Sequence, residues 1–154
     1  MSSVNVSTKI VIKRPVDIVS RYASDPDNAT QWYANIKSVE WKTSKEIRVG
    51  SKIGFIAQFL GKHLIYTYEI AAFIPNQKFV MRTADGPFPM ETTYLWKRLS
   101  ENETEMTLIN QGSPSGFSKF IAPFVSLAMR NANRKDLSRI KQILENKEMD
   151  FPSI

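Results

Sequence analysis

The chain has 154 residues, of which 42% are hydrophobic and 23% are charged; this balance fits one globular domain over residues 1–154 and excludes a disordered or fibrous protein. Cysteine is absent and histidine occurs once, so disulfides and cysteine-ligated metal sites are excluded, and we expect neither a metal nor a cofactor. The net charge of +6 comes from cations interspersed with acids, which predicts a solvated surface and no nucleic-acid partner.

The N-terminal residues 1–9 alternate like a strand and lack the basic start and apolar stretch of a secretion signal. The longest apolar run, at residues 70–75, is far too short to cross a bilayer. Because cysteine is also absent, the sequence predicts a cytoplasmic protein without a transmembrane segment.

The first predicted elements are a strand and two short helices. Apolar and polar residues alternate with a period of two over residues 4–13, which predicts a half-buried strand. Pro15, followed by apolar residues at helical spacing, predicts a short helix that ends near Asp25. Either Asp25 or Asn28 can cap a second short helix, which we expect to continue to Ile36.

Strands follow over residues 38–111, where turn signals separate five or six antiparallel strands. The alternation along each strand assigns one face to the interior. The predicted inward residues are Ile53, Phe55, Ala57 and Phe59; Leu64, Tyr66, Tyr68 and Ile70; Phe79 and Met81; Met90, Thr92, Tyr94 and Trp96; and Met106, Leu108 and Asn110. This face is apolar but carries several hydroxyl and amide groups, which need partners if they are enclosed.

Residues 113–147 have the periodicity of one long helix. Pro123 lies inside this segment, so we expect either a kink there or a short helix before the proline and a long one after it. The first half carries an apolar stripe with Ala128 in its middle, which should face the sheet across any cavity. The stripe of the second half lies further round the helix and consists of Leu137, Ile140 and Leu144.

This order of elements resembles the helix-grip fold, also called the START-like or SRPBCC superfamily. Two segments carry a closer resemblance, GPFPMETTYLW at residues 86–96 and SGFSKFIAPFVSLAMRNANRKDL at residues 115–137. Both are similar to the bacterial branch grouped with polyketide cyclases, dehydrases and lipid-transport proteins. The resemblance implies an α+β fold in which a curved antiparallel sheet of six or seven strands wraps one long C-terminal helix, with two short helices after the first strand.

The resemblance also implies a deep cavity between the sheet and the long helix, in which relatives bind lipids, sterols, polyketides or plant hormones. Inward-facing side chains of the sheet and residues of the helix would line it. The predicted ligand-binding residues are Phe55, Phe59, Tyr66, Tyr68, Phe79, Met81, Thr92, Tyr94, Trp96, Leu108, Phe124, Ala128 and Asn133. The three tyrosine hydroxyls are the expected polar anchors, because a few polar groups orient a ligand in an apolar cavity.

Other sites receive little support from the sequence. His63 follows a turn glycine on the outward face of its strand, which favours an exposed hairpin residue over a catalytic base and disfavours a Ser-His-Asp triad. Glu91 alternates with inward residues and should lie on the outer surface. Arg130 and Arg134 could receive a ligand carboxylate or phosphate at a cavity mouth, although surface salt bridges are the favoured interpretation.

We therefore expect a protein that binds or carries a hydrophobic small molecule such as a lipid, an aromatic compound or a polyketide. One alternative is a cyclase- or dehydratase-like enzyme in which Tyr66, Tyr68 or Tyr94 positions or protonates an enolate. Another is a co-chaperone-like module whose basic surface meets an acidic protein partner. The absence of an evident acid–base set makes the non-enzymatic binder the leading hypothesis.

Overall fold

The computed structural model describes residues 4–59, 61–85, 89–112 and 122–146, and in these residues seven strands form one sheet beside two short helices and one long helix. The elements are β1 (Val4–Ile12), α1 (Val16–Ser24), a 3-10 turn (Pro26–Asn28), α2 (Ala29–Trp32), β2 (Ile36–Trp41), β3 (Lys52–Phe59), β4 (Lys62–Ile74), β5 (Lys78–Asp85), β6 (Met90–Ser100), β7 (Glu103–Gly112) and α3 (Ala122–Asn146). This is the expected helix-grip order, with six strands where five or six were predicted after the short helices.

The sheet is antiparallel, with the strand order β1-β7-β6-β5-β4-β3-β2. Strands β2 to β7 pair with their neighbours in sequence, while β1 crosses over to pair with β7 from Val4↔Gly112 to Ile12↔Thr104. The pairing register shifts at points in β2, β4 and β6. Such irregularities bend a strand and increase its twist, so the sheet curves around α3.

The alternation predicted for the strands is observed. In β6, Met90, Thr92, Tyr94 and Trp96 are buried, and in β1 the even-numbered residues are buried or half-buried while their neighbours are exposed. The inward faces of β3, β4, β5 and β7 agree with the prediction wherever the side chains are described. The largest fully buried side chains of this face and of the helices include Trp32, Ile53, Ile70, Phe79, Met106, Leu108, Leu137, Ile140 and Leu144.

Helix α3 lies along the edge strand β1 and runs in the same direction. Near its start, Val125 packs against Val4 and Val6. Near its end, the Lys141 ammonium donates a hydrogen bond to the Val11 carbonyl at 2.8 Å. The second stripe of α3, predicted from Leu137, Ile140 and Leu144, is buried in the main core.

One predicted boundary is wrong. The second short helix ends at Trp32, because Tyr33 is extended and Ile36 already pairs with Ala57 of β3. The described part of the long helix covers Ala122–Asn146, and the kink or helix break expected at Pro123 stays a prediction, because it depends on the residues before Ala122. The predicted helical residues 113–121 and residue 147 lie outside the described residues.

Candidate functional site

A partly enclosed cavity of about 160 Å³ lies between the inner face of the sheet and the helices. One buried water needs roughly 10–15 Å³ of such space, so the cavity holds far more than a single water. Side chains of β3, β4, β5 and β6 form one wall, α3 forms the opposite wall, and residues of α1 and α2 complete the lining. This is the place at which the family resemblance implied a cavity.

Aromatic rings dominate the wall that the sheet contributes. The period-two alternation of β3 and β4 brings Phe55 and Tyr68 together, with ring centroids 5.6 Å apart and nearly perpendicular planes. Tyr66 lies beside Tyr68 at 5.7 Å, and Phe79 of β5 stacks on Tyr94 of β6 at 5.6 Å. Such offset and edge-to-face pairs stabilise one another beyond the area that they bury. The aromatic side chains of the sheet wall therefore pack against one another as well as lining the cavity.

One stripe of α3 forms the opposite wall, and it consists of Val125, Met129, Ala132, Asn133 and Asp136. The spacings of four, seven, eight and eleven residues put these side chains on one helical face. The stripe is apolar at its start and polar at its end. The chemistry of this wall therefore changes along the helix axis.

The helical stripe differs from the one predicted around Ala128. At about 100° per residue, Ala128 lies roughly 85° and Phe124 roughly 125° from the centre of the observed stripe. Neither residue lines the cavity, and the Phe124 side chain is 72% exposed. The structure therefore does not place these two predicted residues in the wall of this cavity, because the apolar positions of this half of the helix include residues on its outer surface.

A chain of hydrogen bonds links the sheet to α3 across one side of the cavity. The Thr92 hydroxyl donates to Asn110 Oδ1 at 2.7 Å, and Asn110 Nδ2 donates to Asn133 Oδ1 at 3.1 Å. All three residues are buried and line the cavity. Asn133 Nδ2 has no hydrogen-bond partner among the described residues. An unused buried donor is costly, so this amide is positioned to receive an acceptor atom of a ligand.

Two tyrosine hydroxyls meet at another part of the lining. Tyr33 follows α2 and Tyr94 lies on β6, and their hydroxyl oxygens are 2.6 Å apart. Both rings also contact Trp32, whose ring centroid is 4.1 Å from that of Tyr33 and 5.6 Å from that of Tyr94. The hydrogen bond connects the short-helix segment to the sheet wall. It also leaves one hydroxyl hydrogen of the pair available for a further acceptor.

Asp136 places a carboxyl group in the same lining, although its side chain is only 2% exposed. The Ala34 N–H donates to Asp136 Oδ1 at 3.0 Å. Burial raises the pKa of Asp136 to about 6, against the lowering effects of the Ala34 N–H and the nearby Arg139. A carboxyl group with this pKa exchanges a proton near neutral pH, as a general acid or base must.

The tyrosine hydroxyls of the lining remain protonated at neutral pH. Burial raises the pKa of Tyr66 to about 12 and raises the pKa of Tyr68 and of Tyr94 further. For Tyr33, burial is again the main cause of a pKa well above the usual value, followed by the neighbouring Tyr94 hydroxyl. These groups can therefore donate hydrogen bonds, whereas a tyrosinate base is disfavoured.

The structure brings most of the predicted binding residues to one cavity. Those that line it are Phe55, Tyr66, Tyr68, Phe79, Met81, Thr92, Tyr94 and Asn133. Trp96 and Leu108 are buried in the main core instead, because α1 packs over this end of β6 and β7 and fills the space there. The predicted contribution of the Phe59 side chain lies outside what the structure describes. Arg130 and Arg134 are exposed on the outer side of α3 and do not reach the lining.

Sequence reasoning missed Asp136 and Tyr33 as cavity residues. The signal for Asp136 was its spacing, eleven residues after Val125 and seven after Met129, which continues an apolar stripe with an acid. Tyr33 falls inside the predicted second helix, but the observed helix ends at Trp32, one residue before Tyr33. His63 is exposed, and Glu91 forms an ion pair with Arg82 at 3.3 Å on the outer surface.

The comparisons with known proteins agree with this geometry. Residues 3–145 match the family described as polyketide cyclase / dehydrase and lipid transport. The chain belongs to this family. No curated protein matches the sequence.

Several solved structures share the fold of this chain at low sequence identity. A START superfamily protein from Mycobacterium smegmatis superposes with a TM-score of 0.80 at 12% identity, covering 92% of this chain and 97% of that chain. The Zhui aromatase/cyclase from Streptomyces sp. R1128 gives 0.80 at 13% identity, covering 94% and 95%. A major latex-like protein from Panax ginseng gives 0.66 at 13% identity, covering 92% and 97%. Likeness at these identities establishes the helix-grip fold alone.

Two further observations concern the described residues. No group of three or more histidine, aspartate or glutamate side chains in this part of the chain is arranged to hold a metal ion. Among the same residues, no helix combines the length and the apolar character needed to cross a bilayer.

Proposed function

We propose that the chain binds a small, mostly apolar, uncharged molecule in the cavity between the sheet and α3. The observation that carries this proposal is the combination of an aromatic cavity of about 160 Å³ with a buried amide donor, Asn133 Nδ2, that has no partner among the described residues. Binding sites of this kind are mostly apolar, and a few placed polar groups orient the ligand. The lipid-transport part of the family description supports the same function.

The polar groups of the lining also restrict the ligand. Asn133 Nδ2 and the Tyr33–Tyr94 pair offer hydrogen-bond donors, which suit a carbonyl, ether or hydroxyl oxygen. A ligand carboxylate would meet the buried Asp136 carboxyl group and lose its own hydration without gaining a cation, since no cationic side chain lines the cavity within the described residues. A neutral, ring-containing molecule with one or two oxygen acceptors therefore fits best.

Native mass spectrometry of freshly purified protein tests this function, followed by incubation with extracts of apolar small molecules. We expect a one-to-one adduct with a neutral compound, because a cavity of about 160 Å³ has room for one small molecule. A ligand series that differs only in an acceptor oxygen should bind more weakly when the oxygen is removed. If no extract yields an adduct, or if anionic analogues bind best, the proposed function is wrong.

A cyclase- or dehydratase-like enzyme is the second candidate, and Asp136 is the observation that favours it. The tyrosines lack the pKa of a base, whereas a carboxyl group with a pKa of about 6 can take a proton from a bound ligand at neutral pH. Burial is the main cause of the raised pKa of Tyr94, and the hydrogen bond with Tyr33 lowers it. The charge of the nearby Asp136 has a smaller effect and raises it. The aromatase/cyclase named among the similar structures supports this candidate.

Turnover of an identified ligand separates the enzyme from the carrier. For the enzyme, Asp136→Asn should lower kcat by roughly 100-fold or more, the usual contribution of a positioned acid or base. The wild-type rate should rise with pH through the pKa of Asp136, near 6. Equal rates of the wild-type protein and the Asp136→Asn variant would exclude Asp136 from the chemistry and leave the carrier.

A further inference from the structure

The outer face of α3 exposes two large apolar side chains. Phe124 is 72% exposed and Leu127 is 58% exposed. At about 100° per residue, Leu127 lies roughly 175° from the centre of the cavity-lining stripe, which is directly opposite. Isolated apolar residues on a surface need no explanation, but these two lie on adjacent turns of one helix face and form a continuous apolar ridge.

The same face carries a group of cations. Arg130, Arg134 and Lys135 are exposed, and the sequence of α3 contains no acidic residue before Asp136. Helical cations are commonly matched by acids three or four residues away. Asp136, however, lies in the cavity wall, and Glu145 is bound to Lys141 at 2.6 Å.

None of these three cations forms an ion pair with a described residue. The salt bridges expected for the two arginines are therefore not formed within this part of the chain. Three cations beside an apolar ridge, on a helix whose first acidic residue is Asp136 in the cavity wall, match the pattern of helices that lie in a lipid interface.

We propose that the outer face of α3 docks on an anionic lipid bilayer. The ridge of Phe124 and Leu127 would enter the boundary between headgroups and acyl chains, and Arg130, Arg134 and Lys135 would contact lipid phosphates. The positive charge of this face favours an anionic bilayer over a second copy of the chain as its partner. A two-fold contact through this face would bring the three cations of each copy together without acids to offset them.

Docking in this orientation would also place the cavity beside the bilayer. Val125 and Met129 line the cavity on the same turns of α3 whose outer side carries the ridge. A helix with its side chains is about 10 Å across, so one helix would separate the cavity from the lipid. This surface proposal goes beyond ligand binding and does not depend on it, since bilayer binding can be measured without a cavity ligand.

Vesicle flotation tests the proposal with the whole chain. We expect binding to vesicles of phosphatidylcholine and phosphatidylserine at about two to one, and little binding to pure phosphatidylcholine, because each cation near an anionic surface contributes about fivefold to partitioning. The binding should weaken with salt as the charges are screened. A wild-type protein that binds neither vesicle, or binds both equally, would overturn the proposal.

Two sets of variants make the test specific to this face. Substituting Arg130→Gln, Arg134→Gln and Lys135→Gln together should weaken binding roughly 100-fold, and Phe124→Ala with Leu127→Ala should weaken it roughly tenfold or more. The matched controls are Ile65→Ala, at a side chain 68% exposed on β4, and Lys97→Gln with Arg98→Gln, which are exposed on β6. The controls should bind like the wild type.

Two outcomes would contradict the assignment. Equal losses in the helix variants and in the sheet controls would mean that overall charge and not α3 drives binding. A dimer in solution that Phe124→Ala with Leu127→Ala dissociates, without vesicle binding by the wild type, would assign the face to a second copy. Retained binding in the controls with loss in both helix variants would support docking through α3.

Discussion

Asp136 carries a carboxyl group into the wall of an apolar cavity, where the Ala34 N–H donates a hydrogen bond to it. Burial raises its pKa to about 6 from an ordinary value of 3.8. That difference corresponds to about 3 kcal/mol in favour of the protonated form in the folded protein. An acid held in this way weakens the fold at neutral pH, which is common where a residue serves a site instead of stability.

The upward direction of this pKa shift determines how the stability depends on pH. Because the folded-state pKa is raised, the stabilising contribution of Asp136 is fully present below its unfolded pKa of 3.8 and is lost as the pH rises through about 6. Asp136→Asn should therefore be more stable than the wild type by about 2–3 kcal/mol near pH 8 and no more stable near pH 4. Urea unfolding of both proteins at the two pH values measures this. An asparagine variant that is equally or less stable near pH 8 would show that the carboxylate is well accommodated.

Which strand residues face the cavity could be predicted from the sequence, whereas the position of Asp136 in the cavity wall could not. The period of two fixes the face of Tyr68 and Thr92 once a strand is recognised. An acid in a helix normally indicates the solvent side, and Asp136 breaks that rule. Its hydrogen-bond donor comes from Ala34, which is 102 positions away in the sequence, so no local pattern contains the pair.

At the level of elements, the sequence predicts the order of strands and helices well and the orientation of α3 poorly. The second stripe of α3, at Leu137, Ile140 and Leu144, is buried as predicted because all three residues are apolar and share one face. In the first half, apolar residues occur on both the inner and the outer side of the helix. Hydrophobicity alone does not distinguish Ala128 and Phe124 from Val125, which lines the cavity. The contact with β1 sets the rotation of the helix, and that contact is not local.

For the whole molecule, the order of elements was enough to predict the helix-grip fold, but it could not distinguish a cavity from a filled core. The same aromatic side chains suit either, since rings on the inner face can pack on α3 or leave space in front of it. In the structure, Trp96 and Leu108 pack in the core and do not line the cavity, whereas Phe55 and Tyr68 contact the same core and also line the cavity. The difference arises where α1 packs against β6 and β7, a set of contacts between residues distant in the sequence.

We propose that the space in front of Ala132 is a binding site, and a substitution at this residue tests that directly. Ala132 lines the cavity, whereas Ala128, on the same helix and also half-buried, does not. We predict that Ala132→Phe abolishes the adduct detected by native mass spectrometry of the wild type and changes the free energy of unfolding by less than about 1 kcal/mol, because the ring enters open space. Ala128→Phe should retain the adduct. The contrary result is an Ala132→Phe variant that keeps the adduct and loses about 1–3 kcal/mol of stability, as expected of an overpacked core.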